Sequence, residues 1–198
     1  MNFELTDDQR LVQDTAREFA SNDIAPTLFE EERNHEFRLD RVERMGELGF
    51  FSCGLPEELG GTGFGFMESV LMAEQVAKVS ASWRLPFNMQ NLGPALTVAK
   101  FGTPEQQDRF IPGWVAGTQI GFFGMTEPES GSDVASMKTV ARDKGDHWEL
   151  QGSKIWVSNA TQGDAGLLYV MTDPDRKHQG MSAFILEPKK VDNFVATD

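Results

Sequence analysis

The apolar residues in the first part of the chain recur three or four positions apart, which is the spacing of one face of an α-helix. Thr6 with Gln9 has the pattern of a capping box, and Thr103 followed by Pro104 has the pattern of an N-cap and first helical residue. The charged run at 30–35 predicts a solvent-exposed helix face. Further helices are predicted at 39–48, at 67–79, from either 88 or 91 to 101, and at 104–114.

Beyond residue 118 the pattern changes to short apolar runs separated by turn residues. We predict strands at 120–125, 137–142, 148–151, 154–157, 167–172 and 181–186. Short strands at close spacing are typical of an antiparallel barrel. The chain is therefore predicted to be an α+β protein, with an all-α N-terminal domain at 1–117 followed by an antiparallel β-barrel domain at 118–198.

The charge and the cysteine content limit the classes of partner and site. A formal net charge of −13 argues against nucleic acid or an anionic membrane surface as a partner. No apolar run approaches the roughly 20 residues that span a bilayer, and neither a secretory signal nor an Arg-rich transit peptide is visible. Cys53 is the only cysteine, which excludes an intrachain disulfide and a cysteine-based metal site and fits a reducing compartment. We expect a cytoplasmic protein without a metal.

The segment that follows the first predicted strand has the composition of a ligand-binding loop. Pro128 has no backbone donor, and Gly131 allows a sharp turn between Ser130 and Ser132. Such a loop exposes backbone N–H groups and small hydroxyl donors, which suit a phosphate or the edge of a flavin ring. Taken alone, the same residues are also typical of an ordinary polar turn after a strand.

Two sequence motifs together resemble those of the acyl-CoA dehydrogenase family. Residues 124–133 read Gly-Met-Thr-Glu-Pro-Glu-Ser-Gly-Ser-Asp, which is similar to the signature loop of that family. Residues 152–159 read Gly-Ser-Lys-Ile-Trp-Val-Ser-Asn, which resembles the family pattern Gly-x-Lys-x-Trp-Ile-[Thr/Ser]-Asn. The two motifs occur in the family's order and at its separation, and the resemblance extends over the whole chain from Leu5 onward.

The resemblance implies FAD-dependent α,β-dehydrogenation of an acyl-CoA thioester. In that reaction a carboxylate removes the α proton while the β hydride passes to the flavin, and the electrons then go to an electron-transfer flavoprotein. Family members have a complete β domain and a C-terminal helical bundle, which supplies the glutamate base and the contacts of a homotetramer. We expect this base beyond residue 198, so the catalytic residue is unassigned. Glu127 and Glu129 are poor substitutes because both lie in the cofactor loop.

The same resemblance assigns cofactor roles to residues of the loop. Phe123, Met125 and Thr126 match positions that border the flavin and donate to its pyrimidine edge. Gly131 belongs to the cofactor-binding loop. Ser132 matches a serine that contacts the flavin pyrophosphate and lies close to the coenzyme A, so it is expected to bind both cofactor and substrate.

The second motif adds residues beside the flavin ring. Trp156 matches the family's tryptophan beside the isoalloxazine ring, and Val157 and Ser158 follow it at the positions near N5 and O4. From the residues alone, Trp156 is equally a candidate core residue of the barrel, and Ser158 with Asn159 could simply end a strand.

Arg84 is the candidate for substrate recognition. It lies in an apolar run at 81–90 that is predicted to join two helices and resembles the glutaryl-CoA dehydrogenase branch. The branch pairs an arginine at this position with the distal carboxylate of the substrate, a task that suits the planar guanidinium. Leu85 departs from the branch, which has a substrate-contacting serine there. The departure leaves a bulkier dicarboxyl, cyclic or aromatic acyl group open, and Arg84 could instead pack its stem on Trp83.

Two other functional classes remain compatible with the sequence. A non-catalytic flavin-binding or acyl-CoA-binding module, or a subunit, would need no glutamate base. An acyl-CoA oxidase would use the same residues but let oxygen reach the reduced flavin.

Overall fold

The computed structural model describes residues 4–197, and these residues divide into two compact units, one ending at Gln119 and the other beginning at Ile120. The first unit is helical and the second contains a five-stranded sheet. The predicted fold class, a helical domain followed by a β domain, is confirmed.

The described part of the helical unit has seven α-helices. They are α1 (Asp7–Phe19), α2 (Leu28–Asn34), α3 (Leu39–Glu47), α4 (Phe66–Val79), α5 (Ala81–Pro86), α6 (Leu96–Phe101) and α7 (Pro104–Ala116). Two π-helical segments, Ala20–Ile24 and Phe87–Ala95, and a short 3₁₀ turn, Glu57–Leu59, connect some of them.

Local capping chemistry explains where two of the helices begin. The Thr6 hydroxyl accepts from the Gln9 N–H, and the Gln9 side chain accepts in return from the Thr6 N–H, so a complete capping box starts α1. Thr103 and Gln106 form the same box at the start of α7. Gly117 ends α7 with a left-handed backbone at φ 73°. Both helix starts predicted from the sequence are confirmed.

The segment predicted to join two helices at 81–90 is itself helical. Ser80 caps it by accepting from the Trp83 N–H at 3.3 Å, and the backbone stays helical through Phe87–Ala95 to the end of α6. The middle part takes the wider π spacing, and it contains Pro94, which has no N–H for an α-helical hydrogen bond. The prediction of a separate helix starting near residue 88 is therefore wrong.

Aromatic side chains fill much of the core of the helical unit. Phe50 packs edge-on against Phe19 at 5.4 Å and stacks on Phe87 at 5.7 Å between ring centroids. The charged run at 30–35 is not wholly exposed, because the Glu31 side chain is buried against Arg41. A charged residue so buried needs a partner, and its partner lies ten positions away on another helix.

The second unit is built around one central strand. Its strands are β1 (Gly121–Gly124), β2 (Val140–Asp143), β3 (Trp148–Gln151), β4 (Ala165–Met171) and β5 (Met181–Leu186). Short 3₁₀ segments lie at Val134–Ser136, Pro174–Gly180 and Pro188–Lys190. The β4 strand pairs in parallel with β1 and antiparallel with β5, and at Met171 it also pairs in parallel with Val140 of β2.

Two details of the predicted β domain are wrong. The sheet is mixed, because only the β2–β3 and β4–β5 pairs are antiparallel. The strand predicted at 154–157 does not form. Residues 152–155 have no regular secondary structure, and Trp156 has a left-handed backbone at φ 59°, which a strand cannot contain.

Candidate functional site

The loop after β1 folds back on itself at a tight turn. Glu127 donates its N–H to the Ser130 carbonyl at 2.9 Å, and Ser130 donates back to the Glu127 carbonyl at 3.2 Å. The Ser130 hydroxyl then donates to the Asp133 carbonyl at 2.8 Å. These bonds turn Pro128 and Glu129 toward solvent while Glu127 and Ser130 stay buried.

Glu127 is a structural carboxylate. It is 4% exposed and accepts from the Lys138 N–H at 2.5 Å, from the Thr139 N–H at 3.0 Å and from the Lys154 ammonium at 2.7 Å. Burial alone would raise the pKa of Glu127, but the hydrogen bonds from Lys154 and Thr139 outweigh it and lower the pKa to about 2. A carboxylate that is ionised and fully engaged at neutral pH cannot act as a general base.

Lys154 joins the two sequence motifs. Its ammonium donates to the Met125 carbonyl at 3.1 Å as well as to Glu127, and its side chain is 6% exposed. Burial lowers the pKa of Lys154, and the attraction of Glu127 offsets only part of that effect. No role for Lys154 was predicted from the sequence, although a lysine in a strand-like apolar run was an available signal.

Hydrogen bonds to backbone carbonyls also hold the second motif, residues 152–159, against β1 and the loop that follows it. Ile155 donates its N–H to the Thr126 carbonyl at 2.9 Å, and the Asn159 amide donates to the Gly121 carbonyl at 3.1 Å. Asn159 therefore does more than end a strand. The segment 154–159 consequently lies alongside β1 and the start of the loop, and Trp156, Val157 and Ser158 lie between its anchored residues.

The loop residues with predicted cofactor roles are accessible to different degrees. Phe123, Met125 and Thr126 are half-buried, and the Phe123 ring packs against Tyr169 at 5.0 Å between centroids. Gly131 and Ser132 are exposed. A Cβ at Gly131 would meet no atom within 4 Å, so packing against the described residues does not require glycine there. Its missing side chain leaves the backbone open to a ligand.

Trp156 is not a core residue of the β unit. Its side chain is 86% exposed, whereas Val157 and Ser158 are half-buried. A non-glycine residue with a left-handed backbone costs of order 1–3 kcal/mol, and such strain clusters at ligand-binding positions. The Trp156 ring, the largest side chain of the second motif, therefore faces outward from a backbone that is strained and held in place by hydrogen bonds.

Arg84 lies at a groove in the helical unit with a volume of about 320 Å³. The groove runs between α4 and the helical segment that begins at α5. Arg84 donates to the Asn88 amide oxygen at 3.0 Å, and both side chains line the groove together with Glu74 and Ser69. The apolar lining consists of Phe66, Val70, Ala73, Ala77, Phe87 and Leu92.

The alternative role for Arg84, packing of its stem on Trp83, does not agree with the contacts of that ring. Phe37 stacks on Trp83 at 5.2 Å between centroids, and the guanidinium of Arg41 lies over the ring at 4.4 Å. Arg84 is instead paired with Asn88 at the groove. Within residues 4–197, no group of three or more His, Cys, Asp or Glu side chains is arranged to hold a metal ion.

The two-unit fold and the loop after β1 agree with the two family models that match the sequence. The family model described as acyl-CoA dehydrogenase, N-terminal domain, matches residues 6–118, and the one described as acyl-CoA dehydrogenase, middle domain, matches residues 122–198. The chain belongs to the acyl-CoA dehydrogenase family. Members of this family are FAD-dependent oxidoreductases.

Individual relatives show how much of the family fold the chain contains. A glutaryl-CoA dehydrogenase of Desulfococcus multivorans is 38% identical over 192 residues, which are 96% of this chain and 49% of that protein. A mitochondrial short-chain specific acyl-CoA dehydrogenase of Mus musculus is 34% identical over 92% of this chain and 44% of that protein. A solved glutaryl-coenzyme A dehydrogenase in complex with glutaryl-CoA has a TM-score of 0.92 at 38% identity, over 96% of this chain and 49% of that one.

The chain therefore spans about half the length of the relatives that it matches. In the part of the chain that the structure describes, no helix combines the length and the apolar composition needed to cross a bilayer.

Proposed function

We propose that these residues contribute the flavin-facing loop and the acyl-end pocket of an FAD-dependent acyl-CoA dehydrogenase that acts on a dicarboxyl, glutaryl-like acyl-CoA. The helical domain at 1–117 would recognise the acyl group, and the β domain at 118–198 would hold the cofactor. An electron-transfer flavoprotein as acceptor and a homotetramer remain predictions made from the resemblance, and a cytoplasmic location remains a prediction made from the composition of the chain.

The exposed Trp156 is the observation on which the flavin site depends. The Lys154 contacts and the Ile155–Thr126 hydrogen bond hold Trp156 next to the loop that contains Met125 and Thr126. An aromatic ring presented from an anchored backbone suits the face of a planar cofactor. Bound FAD would supply hydride acceptance at its ring, and Ser132, which is exposed beside Gly131, could donate to its pyrophosphate.

The pairing of Arg84 with Asn88 supports a dicarboxyl substrate. A guanidinium has five N–H donors, and the hydrogen bond to the neutral Asn88 amide oxygen uses one of them. The rest of the groove lining is largely apolar. A methylene chain would therefore contact the apolar side chains, and a carboxylate at its end would contact Arg84. The similarity to the glutaryl-CoA dehydrogenases adds to this argument.

Within this proposal, Glu127 does not remove the α proton. Its carboxylate already accepts two backbone N–H groups and the Lys154 ammonium, and its pKa is lowered to about 2. Its function is to hold the loop in place. No residue among 4–197 is assigned as the base.

Anaerobic addition of acyl-CoAs to the purified flavoprotein tests the proposed reaction. We expect a dicarboxyl acyl-CoA to bleach the flavin absorbance. A change in the spectrum without bleaching, for every acyl-CoA tried, would mean a binding module instead of an enzyme. Bleaching by a cyclic or aromatic acyl-CoA alone would contradict the glutaryl-like substrate, and rapid oxygen consumption without an acceptor protein would indicate an oxidase.

Arg84→Ala tests the proposed recognition of the distal carboxylate. We expect it to weaken binding of a dicarboxyl acyl-CoA by roughly 2–5 kcal/mol, because a desolvated charge pair is lost. A monocarboxyl acyl-CoA of the same length should bind almost as before, as measured by flavin spectral titration. An equal loss for both ligands would contradict the role of Arg84.

A further inference from the structure

A buried ion pair lies behind the helix that contains Arg84. The Arg41 guanidinium donates to both carboxylate oxygens of Glu31, at 2.5 and 2.7 Å, and both side chains are 5% exposed. The Thr27 hydroxyl donates to Glu31 at 2.6 Å and accepts from Arg41 at 3.0 Å. The Arg41 hydrogen bond holds the pKa of Glu31 below its usual value. The plane of the guanidinium is thus fixed by three hydrogen bonds.

The same guanidinium contacts the residue before Arg84. It lies 4.4 Å from the centroid of the Trp83 ring, on which Phe37 also stacks with an angle of 9° between the ring planes. Trp83 is 4% exposed and lies in the first turn of the helical segment that runs from α5 through α6. The first turn of a helix frays most readily, so the packing of this large buried side chain sets the orientation of the turn that contains Arg84.

A contribution to the stability of the fold is a weak explanation for the buried Glu31–Arg41 ion pair. Replacement of a buried ion pair by apolar residues of similar volume is often neutral, because the cost of desolvating two charges offsets their attraction. A planar cation held by a bidentate carboxylate does, however, fix the ring that it covers in position and in angle. If α5 rotated about its axis by about 10°, a side-chain tip that lies about 5–6 Å from that axis would move by about 1 Å.

We infer that Glu31 and Arg41 act through Trp83 as positioning residues that aim Arg84 into the groove and so determine the preference for a dicarboxyl acyl group. This inference rests on the proposed function, in which Arg84 binds the distal carboxylate. The Arg41–Trp83 contact fixes the α5 backbone one residue before Arg84. A displacement of about 1 Å is enough to break a bidentate contact with a carboxylate.

The experiment measures a ratio of affinities in the full-length flavoprotein. Dissociation constants for a dicarboxyl and a monocarboxyl acyl-CoA of equal length are measured by flavin spectral titration in Arg41→Lys, Trp83→Phe and Arg84→Met. Arg41→Lys keeps the charge but loses the planar fork, and Trp83→Phe keeps an aromatic ring of smaller area. Arg44→Met is the matched control, because Arg44 lies on the same helix in an exposed pair with Glu47.

We expect Arg41→Lys and Trp83→Phe to lower the preference for the dicarboxyl ligand about tenfold, the size of effect that a misplaced contact can have. Arg44→Met should leave the preference unchanged, and Arg84→Met should abolish it. If Arg84→Met abolishes the preference but the Arg41 and Trp83 variants weaken both ligands equally, their role is structural and this inference is wrong while the proposed function stands. If Arg84→Met leaves the preference intact, both are wrong.

Discussion

Each of the two units contains a buried ion pair next to a candidate functional residue, but the two pairs are built differently. Glu31 and Arg41 are ten residues apart on neighbouring helices and meet only through side chains, with Thr27 between them. Glu127 and Lys154 are 27 residues apart in loops, and each also binds backbone groups.

The two ion pairs differ in whether backbone hydrogen bonds depend on them. The backbone around Glu31 and Arg41 is helical, so its hydrogen bonds are made within the helices. The N–H groups of Lys138 and Thr139 depend on the Glu127 carboxylate. The first pair orients side chains, whereas the second also maintains the loop itself. We therefore expect the second pair to be much harder to replace.

The double substitution Glu127→Leu with Lys154→Met should have the largest effect. It removes both charges but leaves the two backbone N–H groups without their acceptor, at about 1–3 kcal/mol each. We expect the free energy of unfolding of the β unit to fall by roughly 2–6 kcal/mol, measured by urea denaturation. The double substitution Asp164→Asn with Lys189→Met, at a more exposed pair, is the control.

Acid should weaken the β unit through the same carboxylate. The pKa of Glu127 is lowered from 4.5 to about 2 in the folded protein. Its ionised form therefore contributes about 3 kcal/mol of stability above pH 5, which is lost as the pH falls from about 4.5 toward 2. The stability difference between the wild type and Glu127→Gln should shrink over that range. A difference that stays constant with pH would contradict this account of the loop.

The double substitution Glu31→Leu with Arg41→Met should cost no more than about 1 kcal/mol, because apolar replacement of a buried pair is often neutral. The change in the free energy of unfolding of the helical unit is measured by urea denaturation. A loss as large as that of the Glu127 and Lys154 double variant would remove the distinction between the two pairs.

Trp156→Asn should change stability least of all. Asparagine tolerates a left-handed backbone better than tryptophan, and the exposed ring contributes little to the packing of the β unit. We expect a midpoint in urea no lower than that of the wild type, because asparagine also relieves part of the backbone strain. A clear destabilisation would mean that the ring packs on the protein itself.

Prediction from the sequence succeeded where structure depends on local chemistry. The capping residues Thr6 and Thr103 start helices through hydrogen bonds to atoms three residues away, so their role is visible in a short window. The helical turns at 81–87 were missed because Pro86 is unfavourable locally, and packing of buried residues such as Trp83 and Phe87 compensates for it.

The candidate site was predictable only in part for the same reason. The family motifs point to residues 124–133 and 152–159, but the apolar run at 154–157 resembles a strand. The partner of Lys154 lies 27 residues away, and Glu31 in a charged run is buried by a partner ten residues away. Contacts of this kind depend on the tertiary fold and leave no periodic signal in the sequence.

The affinity of the full-length protein for FAD tests the proposed flavin site. The apoprotein would be titrated with FAD for the wild type, for Trp156→Asn and for Trp148→Phe, the last being a control at a half-exposed tryptophan of β3 in the same unit. We expect equal dissociation constants for the wild type and Trp148→Phe, and a value at least about tenfold weaker for Trp156→Asn, as loss of a stacking contact implies. A wild-type protein that does not bind FAD, or a Trp156→Asn variant that binds it equally well, would contradict the proposed flavin site.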